Sequence, residues 1–198
     1  MKKLFFAIIV AALLTVTVCA AGCTSNTSSP SPSTVPSAIR NPAFVPKNVS
    51  GYLNYNNQSA GIAIQYPPSW QLSQGAANAT ASFNVSGAGV SFTVAAPESL
   101  PGQTLDQFSQ GLILGLQQNG NLVNVTLLNS SNTALAGYPA QKDVFTYVGP
   151  DGTSMQGMAE LTLVNGTGYA LTYVAPQDVY STYVGAAQNM MQSFNITK

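Results

Sequence analysis

The chain has 198 residues, with six Lys and Arg, six Asp and Glu, two Cys and no His. The missing imidazole excludes His-based triads and dyads, His-liganded zinc and a His pH switch, and charged residues make up 6% of the chain against about 25% in an ordinary globular protein. An apolar fraction of 45%, with nine Tyr, eight Phe and one Trp, supplies a packed core and argues against a disordered polymer.

Lys2 and Lys3 precede residues 4–19, which carry no charge, and the small residues Ala20, Ala21 and Gly22 lead into Cys23. This order of basic, apolar and small residues predicts an export signal over 1–22. The segment resembles a lipoprotein signal, which implies cleavage before Cys23 and a lipid on the Cys23 thiol, placing the chain on the outer face of the cell membrane. An uncleaved N-terminal membrane helix is the alternative, since a bilayer core takes about 20 apolar residues; plain secretion is a third. Cleavage leaves four basic and six acidic residues, a balance of −2, too weak a field to attract nucleic acid. Cys19 leaves with the signal, so the exported chain holds one thiol and no intrachain disulfide.

Residues 23–49 are predicted to be a tether. Thirteen of the fifteen residues 24–38 are Ser, Thr, Asn or Pro, a composition that cannot bury enough apolar surface to offset its ordering entropy. Residues 50–198 are then one domain of ordinary size.

Within that domain Ile62, Ile64 and Tyr66 alternate on a strand, paired with the stretch around Tyr52 and Tyr55, and Pro67 and Pro68 stop it. Ala81, Phe83 and Val85 turn through Ser86 and Gly87 into Val90, Phe92 and Val94, a hairpin. Thr104 and Gln107 form a capping box ahead of Leu105, Phe108, Leu112 and Leu116 at helical spacing, and Asn119 and Gly120 close the helix. Val123, Val125 and Leu127 mark a further strand. Residues 139–148 and 155–164 meet across a turn at Gly149 to Gly152, and Asn165 to Gly168 joins the second to Tyr169, Leu171 and Tyr173. Val144, Phe145, Tyr173 and Val174 are apolar on both faces of this meander, which predicts cover on both sides. A last helix follows Pro176 and Asp178, with Val179, Tyr183, Val184, Ala187, Met190, Met191 and Phe194 as its buried stripe. The order predicts an α+β fold: an antiparallel sheet of about six strands flanked by helices on both faces, an α/β/α sandwich.

Several segments together resemble the PsbP-like family. They are Tyr55 before Gly61 to Trp70, with its Tyr66-Pro67-Pro68-Ser69-Trp70; Leu105 to Phe108; Leu135 to Ala140; and Ser193-Phe194-Asn195-Ile196. The resemblance spans residues 52–196. It implies a PsbP-like domain over 50–198, no enzymatic activity and a habit of binding proteins, as in exported prokaryotic lipoproteins of this kind, with an envelope protein as partner.

No constellation of catalytic residues is legible. Asp151-Gly152-Thr153 has the wrong order for an aspartic protease, residues 151–160 lack the ladder of an EF-hand, and no Gly-X-Ser-X-Gly elbow occurs. Asp143 and Glu160 fall on paired strands, either as a carboxylate pair or facing water and Lys142. No enzyme, metal or cofactor is expected. Trp70 is expected to plug the first hairpin. Tyr169, Tyr173, Tyr180 and Tyr183 are either core residues or a stacking surface for a small ligand or glycan. Nine Asn-X-Ser/Thr sequons, at Asn26, Asn48, Asn57, Asn78, Asn84, Asn124, Asn129, Asn165 and Asn195, are either compositional accidents or glycosylation sites.

Overall fold

The computed structural model describes residues 38–74 and 79–198; the signal, Cys23, Asn26 and Asn78 lie outside the described residues. The first hairpin forms where alternation predicts it. Strand β1 (Leu53–Asn57) pairs antiparallel with β2 (Ile62–Tyr66), with Tyr55 opposite Ile64. Its inward residues Tyr55, Ile62 and Ile64 are all buried.

The chain then enters a second sheet through β3 (Gln71–Gln74), β4 (Ala79–Val85) and β5 (Val90–Ala95), followed by the short β6 (Glu98–Ser99). Helix α1 (Leu105–Gln118) starts at the predicted box: the Gln107 backbone N–H donates to Thr104 Oγ1 at 3.2 Å, and the Thr104 N–H donates to Gln107 Oε1 at 2.9 Å. Such reciprocal capping satisfies two of the donors a helix start leaves free. Its buried face holds Phe108, Leu112, Ile113 and Leu116.

The meander is β7 (Val123–Leu135), β8 (Tyr138–Val148), β9 (Ser154–Val164) and β10 (Thr167–Pro176). Helix α2 (Tyr180–Ser193) follows, and β11 (Asn195–Ile196) ends the fold by pairing with β2. The main sheet runs β3-β4-β5-β10-β9-β8-β7 with β6 also on β10, and β1-β2-β11 form a separate three-stranded sheet.

The expectation of about six strands flanked by helices on both faces is corrected in both respects. Among the described residues the main sheet takes eight strands, because β3 and β6 form where no alternation advertises them; β7 also continues past Leu127 to Leu135. Helices do not make its two outer layers either. Helix α1 shares one core with Phe145, Tyr147, Ala159 and Leu161 of β8 and β9. The other core holds Phe83, Phe92, Leu171 and Tyr173, closed by α2 jointly with the small sheet. Among the described residues no helix is long and apolar enough to cross a membrane.

Residues 38–49, which composition assigns to the tether, run along the domain. The Asn41 N–H donates to the Gly137 carbonyl at 2.7 Å and the Lys47 N–H to the Gln192 carbonyl at 3.0 Å. Phe44 packs on Gly137, a turn residue with φ +81°, whose added Cβ would stand 2.6 Å from that of Phe44.

The α1 core is closed most tightly where Gly157 on β9 faces Phe145 on β8, the ring filling the space a side chain would take. Gly157→Ala should therefore cost about 1–3 kcal/mol by overpacking, read as a lower urea midpoint. Phe145→Leu in the same chain should restore part of that loss instead of adding to it.

Candidate functional site

The residues singled out by chemistry fall in three places. The first is the junction of β10 with α2. Tyr173 is fully buried and its hydroxyl donates to the Tyr180 carbonyl at 2.9 Å. The two rings lie 5.1 Å apart at 45°. Burial, and then the neighbouring phenols of Tyr180 and Tyr183, hold the Tyr173 hydroxyl far above its ordinary range, so it is a neutral donor at every physiological pH. Tyr183 meets Trp70 edge-on, the centroids 6.4 Å apart. Trp70 is itself buried and closes the first hairpin onto α2. Tyr169 is buried on β10, and only Tyr180 and Tyr183 keep partial exposure. The four tyrosines therefore do not share one open stacking face, because Tyr169 and Tyr173 point inward on a strand while the other two lie on a helix.

The second is a polar knot inside the α1 core. Asp143 is wholly buried. Its carboxylate accepts from Ser109 Oγ of α1 and from Ser130 Oγ of β7, each at 2.6 Å, and Ser130 Oγ accepts from Gln141 Nε2 at 2.6 Å. Gln141 Oε1 is buried with no partner among the described residues. Composition did not point to this knot. Alternation contains it, since residues 143, 145 and 147 share one face of β8 and Phe145 and Tyr147 belong to the α1 core.

Asp143 and Glu160 do not meet. Lys142 is the residue opposite Glu160 and Ala159 is opposite Asp143, so the offset of one residue sends the two carboxyls to opposite faces. Burial pushes the Glu160 carboxyl above its usual range, and the Lys142 ammonium partly opposes that shift. Asp151 closes the β8–β9 turn, accepting from the Thr153 N–H at 3.0 Å, and that backbone bond is the main cause of its lowered pKa. Burial pushes the Tyr147 hydroxyl up to about 12.

The third place is the docked N-terminal segment. Arg40 donates from Nε to the Ala136 carbonyl at 3.0 Å and from Nη2 to Asn195 Oδ1 at 2.7 Å, with its guanidinium 5.1 Å from the Phe44 ring centroid and 5.9 Å from that of Tyr138. Asn195 is thus a sequon whose side chain is engaged. Asn48, Asn124, Asn129 and Asn165 are exposed, and Asn57 and Asn84 are half-buried.

No group of three or more His, Cys, Asp or Glu side chains is placed to hold a metal among the described residues. A cleft of about 370 Å³ lies beside α1, between Phe108 and Leu112 and the sheet residues Thr93, Leu161, Ala170 and Thr172.

An antiparallel sheet with one helix in each core and a small sheet closing the second is the PsbP-like fold. No family model matches the chain, and no curated protein matches its sequence. Among solved structures it is similar to CyanoP, the PsbP of the cyanobacterium Synechocystis sp. PCC 6803, at TM-score 0.58 and 13% identity over 75% of this chain and 94% of that one. LpqN of Mycobacterium tuberculosis matches at TM-score 0.54 and 16% identity, over 69% and 83% of the two chains. The Ran-binding protein Mog1p of Saccharomyces cerevisiae matches at TM-score 0.54 and 10% identity, over 74% and 96%. At such identities the likeness is one of fold.

Two outcomes follow from these side chains. Arg40→Ala removes two hydrogen bonds from a charged donor, each worth about 1.5–3 kcal/mol when the partners are covered, and should lower stability in urea unfolding of the full chain by about 2 kcal/mol. Glu160 has a raised folded-state pKa, so its ionised form is disfavoured by folding; the penalty is complete above the folded pKa and absent below the ordinary value of 4.5. Glu160→Gln should raise the melting temperature at pH 7, with the gain fading as the pH falls through the raised folded pKa and gone below 4.5.

Proposed function

We propose that the protein is a non-enzymatic lipoprotein, held by Cys23 on the outer face of the cell membrane, whose PsbP-like domain binds or assembles another envelope protein. The observation that carries this reading is the run of small residues into Cys23 after a largely apolar stretch without charge, the order of an export signal and similar to a lipoprotein signal. The fold supports it more loosely: LpqN is involved in cell envelope biogenesis and Mog1p binds Ran, so this architecture serves recognition elsewhere. The domain's own composition agrees, since a charge-poor surface rich in Asn, Gln, Ser and Thr recognises by shape and hydrogen bonding instead of by long-range field.

A second reading, a small-ligand binder, is favoured by the cleft beside α1 more than by the tyrosines. A ligand there would raise the melting temperature by mass action, and Thr172→Val should weaken it while Tyr180→Ala should not.

Anchoring is tested by Cys23→Ser in the native host. The variant should move from the membrane fraction to the soluble exported fraction, and unchanged retention would assign the anchor to the uncleaved helix. Crosslinking in intact cells, followed by recovery of the domain, should then yield one envelope protein reproducibly; failure to enrich any over an unrelated lipoprotein would remove the assembly role.

A further inference from the structure

Strand β7 is the outer strand of the main sheet and has 13 residues. All of them are exposed except Val125, Thr133 and Leu135. Its register with β8 shifts twice, between Val123 and Thr126 and between Leu127 and Asn129, and then runs unbroken from Asn129 to Leu135. Along that run the backbone N–H and C=O groups directed away from β8 have no strand beside them among the described residues. The opposite edge, β3, comprises Gln71–Gln74 among the described residues.

Free edges are commonly blunted by Lys, by Pro, by an inward charge or by a β-bulge. On β7 the two register shifts lie before Asn129, and along Asn129–Leu135 none of these devices is present: no charged residue occurs between Gln107 and Gln141, and β7 contains no proline. Exposed apolar side chains also flank the edge. Val123, Leu127 and Leu128 on β7, and Leu114 on α1, which packs against β7, are each 41–55% exposed.

From these observations we propose that β7 is a homodimer interface, in which two copies of this chain pair antiparallel along their Asn129–Leu135 edges about a two-fold axis near Asn132. An alternating row of backbone donors and acceptors is satisfied over its length only by another extended chain. A copy of the same strand fits because an isologous contact about the two-fold is self-complementary, setting Asn132 against its equivalent and Asn129 against Leu135 at both ends, and a strand without charges meets no like-charge penalty in doing so. The same neutrality offers a charged partner nothing to pair with. Leu128, at the register shift, stands at the end of the regular run where it reaches the other copy. This inference does not depend on the anchor at Cys23.

Sedimentation velocity on the full chain in detergent, over a hundredfold range of concentration, tests it. The wild type should pass from one to two protomer masses, and Leu128→Lys with Asn132→Lys should remain at one with an unchanged melting temperature. Both positions are exposed, and Asn132→Lys alone serves if the double variant does not fold. A wild type that stays monomeric throughout, a folded Lys variant that dimerises as the wild type does, or natural material that is monomeric with a glycan on Asn129 overturns the proposal.

Discussion

Tyr173 and Val174 are neighbours on β10, and they are buried in opposite cores. The period of two along a strand makes this unavoidable, and the rest of the fold is arranged around it. β10 lies between β5 and β9, with Leu171 and Tyr173 in the core closed by α2 and the small sheet, and Val174 in the core closed by α1. A slip of one residue would exchange the two sets. The Tyr173 hydroxyl fixes the register from outside the sheet, because its bond to the Tyr180 carbonyl ties the start of α2 to one position on β10. Residues 38–198 contain no cysteine, so packing across this strand takes the place that crosslinks hold in many small exported domains.

Several of the few charges tie this arrangement together, while Lys47, Asp106, Asp151, Asp178 and Lys198 are exposed. Asp143 joins α1, β7 and β8 through two serine hydroxyls, and Arg40 joins the N-terminal segment to the β7–β8 turn and to β11. Lys142 and Glu160 face one another across β8 and β9. The outer surface is left close to neutral, which explains why no electrostatic landmark marks a binding site.

Much of the element order was legible because each local signal had a local cause. The capping box at Thr104 and Gln107, the alternation of Ile62 and Ile64, and the turn at Gly149 to Gly152 all depend on residues within a few positions of one another. The aromatic residues show the limit. Tyr169, Tyr173, Tyr180 and Tyr183 are close in sequence, yet whether a ring stacks on a ligand or fills a core depends on what packs against it. The Asp143 knot was likewise hidden, since its partners Ser109 and Ser130 come from two other elements.

By itself the sequence determined the excluded chemistry and most of the succession of strands and helices, because composition and periodicity are properties of the chain alone. Tertiary structure decided what depends on contacts distant in sequence. It gave the first hairpin to a separate sheet with β11, extended β7 into a long bare edge, and drew residues 38–49 onto the domain through Arg40. Arg40 bonds residues 96 and 155 positions away; no local pattern encodes such a bond, and its stability comes from the surface that the folded domain presents.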